Sequence, residues 1–319
     1  MSTSLPPQSS DASSNRQFLL LPPLTPETIK RAREGLEAAR LLNAEGIVQK
    51  SLYQTEVLTQ EKSDLKRRGW IRWLCIRTVI HSLFRVKVEH LDRLSSQPVI
   101  IAPNHLSHID PFLILSEIPY QPYYYILGDA RTLYNKFWKR VFLRYSGGTI
   151  PIERIWKEEL AVLEAAKAGE EHLTELAAAI EQEVPKGNSI QSLRRLDRIV
   201  QGIFAQNQGI IMFPEGRLGF QEGELFLPLK RGTVIYALKT GVPILPVGII
   251  GTKNLYLYKE LTLRFGEPLR FPKINRPQPK DIQIVLETLQ AAILDLLPQN
   301  YQEPDELKLF RNFLNHMLW

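Results

Sequence analysis

Cysteine and long apolar runs are the scarce features of this 319-residue chain. Its one cysteine, Cys75, excludes an internal disulfide framework and a cysteine-rich metal site, and it fits a reducing compartment. No stretch approaches the roughly 18 uninterrupted apolar residues of a transmembrane helix, so the sequence predicts no conventional membrane span. Histidine is also rare, with six in the chain, which leaves little material for a zinc site.

The composition and the predicted secondary structure change along the chain. The first 22 residues are rich in Ser, Pro and Gln and lack a basic start, which predicts a disordered leader rather than a signal peptide. Thr25, Pro26 and Glu27 form a helix start, and helical periodicity continues to about Leu83. Strands then alternate with helices, which predicts an α/β fold: a mixed sheet flanked by helices.

We predict strands at residues 98–102, 123–127, 209–213, 242–250 and 261–265. We predict helices at residues 111–118, 131–145, 156–180, 192–206, 230–240 and 281–297, and a terminal segment at 305–319 that either docks on the domain or contacts a membrane. The chain is thus divided into residues 1–23, the leader; 24–87, a helical amphipathic region; 88–275, the α/β domain; and 276–319, C-terminal helices packed on that domain.

Basic charge is concentrated near the end of the first helical region. Residues 61–90 contain eight Lys and Arg against three Asp and Glu. This local excess of five positive charges is most of the net charge of +6. Trp70, Trp73 and several aliphatic residues lie between these charges. Such a mixture is typical of a helix at a membrane surface, and anionic head groups would attract it. A core helix with a solvated basic rim and a nucleic-acid-binding helix are the alternatives.

A histidine and an aspartate lie five positions apart in Asn-His-Leu-Ser-His-Ile-Asp, residues 104–110. The motif follows an apolar run that predicts a buried strand, and ligands of open α/β sheets bind beyond the carboxyl ends of strands. His105, with its ring oriented by Asp110, could deprotonate a hydroxyl at neutral pH. Alternatively, Asp110 caps a helix that begins with Pro111, and His105 is an ordinary loop residue.

Three further motifs follow in order. Residues 147–154 read Gly-Gly-Thr-Ile-Pro-Ile-Glu-Arg, and Arg154 either binds phosphate or forms a surface ion pair. Residues 213–217 read Phe-Pro-Glu-Gly-Arg, which either clamps a polar head group or forms a turn with a salt bridge. Residues 242–247 read Val-Pro-Ile-Leu-Pro-Val, which either lines an acyl chain or marks an edge strand.

The order of the four motifs resembles the glycerolipid acyltransferase superfamily, the glycerol-3-phosphate and 1-acylglycerol-3-phosphate acyltransferases, over about residues 88–272. The resemblance implies an acyltransferase domain that transfers a fatty acyl group from acyl-CoA or acyl carrier protein to the hydroxyl of 1-acylglycerol-3-phosphate, giving phosphatidic acid. Glycerol-3-phosphate or another lysophospholipid is the alternative acceptor. No cofactor is expected beyond the thioester donor.

The same resemblance assigns roles to residues. His105 matches the general base and Asp110 the acid that orients it, with backbone amides at the Pro111 helix start as expected donors to the carbonyl oxygen. The expected substrate-binding residues are Asn104, Gly148, Arg154, Glu215, Gly216 and Arg217. Two departures affect this assignment: Arg217 directly follows Gly216 where the family has Glu-Gly-Thr-Arg, and about 60 residues separate Arg154 from Glu215.

Other functions are less consistent with the motifs. His105, His108 and Asp110 resemble part of a metallo-β-lactamase site, but Leu106 and Pro111 stand where two of its histidines are needed, so no metal site is expected. A non-catalytic membrane-binding protein would not require four ordered motifs. We therefore expect a peripheral or monotopic membrane protein at the cytoplasmic face, with a phospholipid surface, a lysolipid and the acyl donor as partners and no nucleic acid.

Overall fold

The computed structural model describes residues 21–58, 62–187 and 189–317. Most of the predicted leader, residues 1–23, lies outside these ranges. Within them, no helix is both long and apolar enough to span a membrane. The helices are α1 (Pro26–Glu45), α2 (Ile47–Leu58), α3 (Lys62–Leu83), α4 (Asp110–Glu117), α5 (Ala130–Leu133), α6 (Phe137–Ser146), α7 (Lys157–Lys167), α8 (Thr174–Glu183), α9 (Ile190–Ala205), α10 (Gly232–Thr240), α11 (Pro279–Leu296) and α12 (Arg311–Met317). The strands are β1 (Arg85–Glu89), β2 (Ile100–Pro103), β3 (Tyr124–Asp129), β4 (Thr149–Ile152), β5 (Gly209–Met212), β6 (Ile244–Ile250) and β7 (Glu260–Phe265).

The strands of the described residues form one sheet in the order β1-β7-β6-β2-β5-β3-β4. β2 pairs parallel with β5 and β6, and β3 pairs parallel with β4 and β5. β7 is antiparallel to β6 and parallel to β1. The sheet is therefore mixed, which confirms the predicted α/β architecture, and the five strands β2 to β6 direct their carboxyl ends to the same edge.

Helices cover both faces of the sheet. Ile100 and Ile210 belong to a core with α9, α10 and α11, whereas Ile101 and Ile211 belong to a core with α3, α4 and α6. Successive side chains of a strand point to opposite faces, so a strand covered on both sides is apolar along its whole length. This explains why the central strands read as unbroken apolar runs in the sequence.

The described residues group into two compact units. The smaller joins residues 21–39 to Ile155–Val184, around a core that includes Leu36, Val162 and Ile180. The larger contains Arg40–Arg154 and the residues from Pro185 onward, and it holds the sheet. The four sequence-based parts described above stay predictions.

Several elements differ from the sequence prediction. β1 was not predicted, although its Arg-Val-Lys-Val-Glu alternates charged and apolar residues and pairs with β7. The long helix predicted at residues 156–180 is α7 and α8, separated near Gly169, whose φ is +104°. The helix predicted at residues 131–145 is α5 and α6, and β4 forms where no strand was predicted.

The predicted amphipathic helix is α3. Ile76 and Ile80 pack on the sheet, while Trp70, Leu74 and Val79 are exposed on the outer side. In the terminal segment, Leu314 packs into the same core as Ile80, and Phe310 and Phe313 are exposed. The membrane role of either segment stays a prediction.

Candidate active site

The carboxyl ends of β2 to β6 bring four distant segments of the chain together. Asn104 and His105 follow β2, Asp129 ends β3, Arg154 lies two residues beyond β4, and residues 213–217 follow β5. Because these strands are parallel, the segments emerge at one edge of the sheet, where ligands of open α/β sheets bind. This edge is therefore the candidate active site.

His105 and Asp110 form a hydrogen-bonded pair. Nδ1 of His105 lies 2.9 Å from Oδ2 of Asp110, and the same oxygen accepts the backbone N–H groups of Leu106 at 2.7 Å and Ser107 at 2.8 Å. As a carboxylate, Asp110 can only accept, so the shared proton lies on Nδ1, and in a neutral imidazole Nε2 then keeps its lone pair. Asp110 is fully buried, whereas 16% of the His105 side chain is exposed. The ring is therefore oriented from the inside and accessible from the outside.

The loop between the two residues explains their separation of five positions. Its turn closes where the N–H of Asp110 donates to the carbonyl of Ser107 at 3.1 Å. α4 begins at Asp110, with Pro111 in its first turn, and the carboxylate reaches back to the loop amides. The side chain therefore stabilises the loop and orients the imidazole at the same time.

Glu215 holds the backbone of His105. Its Oε1 accepts the N–H of His105 at 2.6 Å, and its Oε2 accepts the N–H of Phe226 at 2.6 Å. The side chain is fully buried, and this burial raises the pKa of Glu215 to about 7. The sequence predicts Glu215 as a substrate-binding residue. In the structure both of its carboxyl oxygens accept backbone N–H groups, so Glu215 positions the backbone of His105.

The loop after β5 makes two further contacts with His105. The N–H of Gly219 donates to the His105 carbonyl at 2.6 Å, and the Phe213 ring lies 4.0 Å from the imidazole, centroid to centroid. Space at Gly219 is limited, since a Cβ there would lie 3.2 Å from Leu106 and 3.4 Å from Glu215. The Gly219 hydrogen bond, the Phe213 ring contact and the Glu215 hydrogen bond together fix both the ring and the backbone of His105.

Asn104 connects the end of β2 to β6. Its Nδ2 donates to the carbonyl of Ile249 at 2.9 Å, and its Oδ1 accepts the N–H of Ile249 at 2.6 Å. The side chain is fully buried. The sequence predicts Asn104 as a substrate-binding residue, whereas in the structure its amide replaces a strand-to-strand pairing and sets the position of the next residue, His105.

Arg154 reaches across the edge from β4. Its Nε lies 2.8 Å from Oδ2 of Asp129, and its Nη1 donates to the carbonyl of Gly216 at 2.9 Å. The backbone carbonyl of Arg154 accepts the guanidinium of Arg131 at 2.5 Å. The side chain is 44% exposed, so it forms the ion pair that one interpretation of the sequence anticipates and also faces the solvent at the site.

Gly216 and Arg217 lie beside this guanidinium. Gly216 has a φ of +65°, and a Cβ there would lie 2.8 Å from the side chain of Lys230. The guanidinium of Arg217 lies 4.5 Å from the ring centre of Phe226 and 5.2 Å from that of Phe220. Arg154 and Lys230 thus bring positively charged side chains to Gly216, and Arg217 follows Gly216 in the chain.

Two contributors were missed by the sequence analysis. Asp129 pairs with Arg154 and also caps α5, accepting the N–H of Arg131 at 3.0 Å. Its signal was present, because an aspartate at a strand end is a common helix cap. Lys230 had no such signal, since it lies 14 residues beyond Gly216 and approaches it only through the fold.

Gly148 lies outside the site, which corrects the sequence prediction. It precedes β4 and therefore stands at the amino edge of the strands, opposite Arg154. Its φ is +75°, and a Cβ on it would lie 2.3 Å from Nη1 of Arg72 and 2.5 Å from the hydroxyl of Tyr123. The glycine is required by this close approach, not by a ligand at the active-site edge.

Two other expectations require correction. The N–H groups of Leu106, Ser107 and Asp110 at the start of α4 bond within the loop, so these three are not available to a carbonyl oxygen of the substrate. The proline-containing motif at residues 242–247 enters β6, which pairs with both β2 and β7. It is an internal strand, so the interpretation as a sheet edge is wrong.

No group of three or more His, Cys, Asp or Glu side chains in the described parts of the chain is placed to hold a metal ion. The rings of His105 and His108 lie 6.5 Å apart, centroid to centroid, and nearly perpendicular.

Two known proteins are similar to this chain. The chain is similar to a 1-acyl-sn-glycerol-3-phosphate acyltransferase of Cocos nucifera, 26% identical over 130 residues, which are 39% of this chain and 40% of that protein. The chain therefore spans less than half of the relative it matches. A crystal structure of the 1-acyl-sn-glycerophosphate acyltransferase PlsC from Thermotoga maritima is 18% identical with a TM-score of 0.41, covering 86% of this chain and all of that one.

The family model described as Acyltransferase matches residues 85–250, just over half of the chain. The matched region contains all four motifs and extends from β1 to the end of β6. The resemblance to the glycerolipid acyltransferase superfamily is thereby confirmed, and the chain belongs to the Acyltransferase family.

Proposed function

We propose that this acyltransferase transfers a fatty acyl group from an acyl thioester to the free hydroxyl of 1-acylglycerol-3-phosphate, giving phosphatidic acid. The observation that carries the proposal is the His105–Asp110 pair, in which Asp110 binds Nδ1 of a ring that is 16% exposed, so that Nε2 is the nitrogen left for the acceptor. The motif order and the name of the coconut relative favour this acceptor over others.

In the proposed reaction, Nε2 of His105 takes the proton of the acceptor hydroxyl while its oxygen attacks the thioester carbonyl. The resulting tetrahedral intermediate collapses, the C–S bond breaks, and the leaving thiolate takes the proton back from the imidazolium. The carboxylate of Asp110 stabilises that imidazolium through Nδ1. The step requires no acyl-enzyme and no cofactor, and acyl-CoA or acyl carrier protein would supply the thioester.

The phosphate of the acceptor would lie against the positive charge around Gly216. Arg154 and Arg217 offer planar groups that match phosphate oxygens. Arg154 is already fixed by Asp129 and Gly216, so little conformational entropy is lost when it binds. These contacts support a phosphorylated acceptor over a neutral alcohol.

We also propose that the protein acts as a peripheral or monotopic enzyme at a membrane surface, where a lysolipid and phosphatidic acid reside. The exposed Trp70, Leu74 and Val79 on α3, with basic residues between them in sequence, support this localisation.

The test uses purified protein with acyl-CoA or acyl carrier protein thioesters and three acceptors: lysophosphatidate, glycerol-3-phosphate and lysophosphatidylcholine. His105→Ala is measured beside His172→Ala, a control that removes an exposed histidine from the smaller unit. We expect transfer to lysophosphatidate that is lost in the first variant and kept in the second, because the proposed mechanism assigns the hydroxyl proton to His105 and gives His172 no role.

Transfer to glycerol-3-phosphate or lysophosphatidylcholine instead, still lost with His105→Ala, would keep the mechanism and replace the acceptor. Full activity of His105→Ala, or absence of transfer to every acceptor from both donors, would contradict the catalytic proposal.

A further inference from the structure

α6 exposes a stripe of large apolar side chains. Phe137, Trp138, Val141 and Tyr145 are 74%, 40%, 39% and 76% exposed. Positions one, four and eight residues apart share one side of an α-helix. Three of the four are aromatic. A contiguous apolar stripe of this kind on a surface helix indicates an interaction surface.

The inner side of α6 is already packed, so the stripe is not a core face left open. Leu143 and Ser146 are buried, and the Phe142 ring lies 6.2 Å from that of Phe112 on α4. One side of α6 is thus packed against other parts of the fold, including α4, while the opposite side carries the stripe. Covering the stripe would require a partner outside these contacts.

The charge around the stripe has one sign. Residues 136–146 contain Lys136, Lys139, Arg140 and Arg144 and no Asp or Glu. Lys136 and Arg144 are exposed, whereas Arg140 lies 3.3 Å from Glu45 and Lys139 is buried with its Nζ 5.8 Å from the Trp138 ring centre. Aromatic residues beside lysine and arginine match the boundary between anionic head groups and acyl chains.

The stripe adjoins the exposed side of α3. The two helices pack together, and α3 exposes Trp70, Ile71, Leu74 and Val79. α4, whose first residue is Asp110, packs against both helices. The two apolar surfaces therefore flank the helix that carries the acidic partner of the candidate base.

We propose that the outer side of α6 is a second membrane-docking surface, which rests with α3 on a bilayer that contains anionic phospholipid. This inference extends the proposed membrane localisation from α3 to α6, where no membrane contact was predicted. It does not depend on which acceptor is acylated. The uniform positive charge argues for lipid over a second copy of this basic chain, because two copies of the stripe would bring like charges together.

The experiment measures sedimentation of the full chain with vesicles of phosphatidylcholine alone and with an equal mixture of phosphatidylcholine and phosphatidylglycerol. The test variant is Phe137→Ser with Tyr145→Ser. The matched control is Ile284→Ser with Leu294→Ser, which removes two exposed apolar residues from α11, on the opposite face of the sheet. Thermal unfolding and acyl transfer to detergent-dispersed acceptor check that each variant is folded.

We expect the α6 variant to bind mixed vesicles about tenfold more weakly than the natural chain, which corresponds to about 1.4 kcal/mol, while the α11 control binds within about twofold. Lys136→Glu with Arg144→Glu should weaken binding to the mixed vesicles and leave binding to phosphatidylcholine vesicles unchanged. Only the mixed vesicles carry the negative charge that attracts lysine and arginine.

Unchanged binding of the Phe137→Ser, Tyr145→Ser variant would overturn the proposal. If the natural chain is a dimer, the variant is a monomer and both bind vesicles equally, the stripe would instead contact a second copy of the chain. These results are separable from the proposed reaction, because His105→Ala should bind vesicles normally while losing acyl transfer.

Discussion

At the scale of the residue, His105 is fixed by two carboxylates that do different work. Asp110 bonds to the ring and Glu215 bonds to the backbone N–H. The ring contact affects proton transfer directly, since it sets the tautomer and stabilises the imidazolium. The backbone contact sets only the position of the residue. Substitution of Asp110 should therefore lower the rate of proton transfer directly, whereas substitution of Glu215 should act through the position of His105.

Asp110→Asn should lower kcat by about 10²- to 10⁴-fold with little change in the KM for the thioester. The asparagine oxygen can still accept the N–H groups of Leu106 and Ser107, so the loop should persist, but a neutral amide stabilises an imidazolium poorly. Steady-state kinetics at saturating acceptor check this, with Asp92→Asn as control in a separate 3-10 helix. A variant within a few-fold of natural activity would remove Asp110 from the mechanism.

Glu215 should make stability depend on pH. The unfolded carboxyl titrates near 4.5 and the folded one near 7, so between these values only the folded state holds the proton. Raising the pH then favours unfolding, and the contribution of Glu215 to the free energy of unfolding should fall by about 3 kcal/mol across this window. Glu215→Gln does not titrate, so the difference between natural chain and variant isolates the effect.

Denaturant unfolding at a series of pH values measures that difference. The control is Glu224→Gln, which makes the same substitution at an exposed position. A flat difference for Glu215→Gln would show that burial does not perturb this carboxyl.

Residue order in the sequence predicted the His105–Asp110 contact because both residues lie in one short loop. The roles of Glu215 and Asn104 were not predictable in this way. Glu215 meets His105 across 110 residues of sequence and Asn104 meets Ile249 across 145. Both residues lie in motifs beside the site, but only the folded structure shows that their side chains form hydrogen bonds with backbone groups.

At the scale of the element, the approach to β4 contains a glycine with a structural reason. Gly148→Ala should lower the free energy of unfolding by about 1–3 kcal/mol from its positive φ alone, and further because the Cβ would meet Arg72 and Tyr123. Gly169→Ala is the matched control, with a φ of +104° and no atom within 4 Å. Chemical denaturation should show the larger loss for Gly148→Ala.

The KM for the acceptor should be the same in Gly148→Ala and in the natural chain, because Gly148 lies at the amino edge of the strands. A raised KM with unchanged stability would return Gly148 to the binding site.

Elements were predictable where the pattern was local and uniform. The apolar runs that became β2, β3, β5 and β6 needed only their own composition. β1 was missed because its charged residues continue the basic region, and pairing with β7 separates it from that region only in the folded chain. The break between α7 and α8 had a local signal in Gly169, which the alanine-rich helical pattern obscured.

At the scale of the whole molecule, the sheet order determines the site. Neighbouring strands such as β2 and β5 are separated by more than 100 residues, and their pairing brings residues 104–110 and 213–217 to one edge. No local pattern specifies that order. The family resemblance did not supply the strand order either; it implied only that residues of the separate motifs share one site.

The whole molecule should also perform its chemistry without a bound metal. Extensive dialysis against EDTA should leave acyl transfer within about twofold of the untreated enzyme, because proton transfer by His105 and Asp110 uses only side chains of the chain. Elemental analysis of the dialysed protein and assay with added Zn²⁺ complete the measurement. A loss of acyl transfer that Zn²⁺ restores would contradict this prediction, because the transfer would then depend on a bound metal as well as on the side chains.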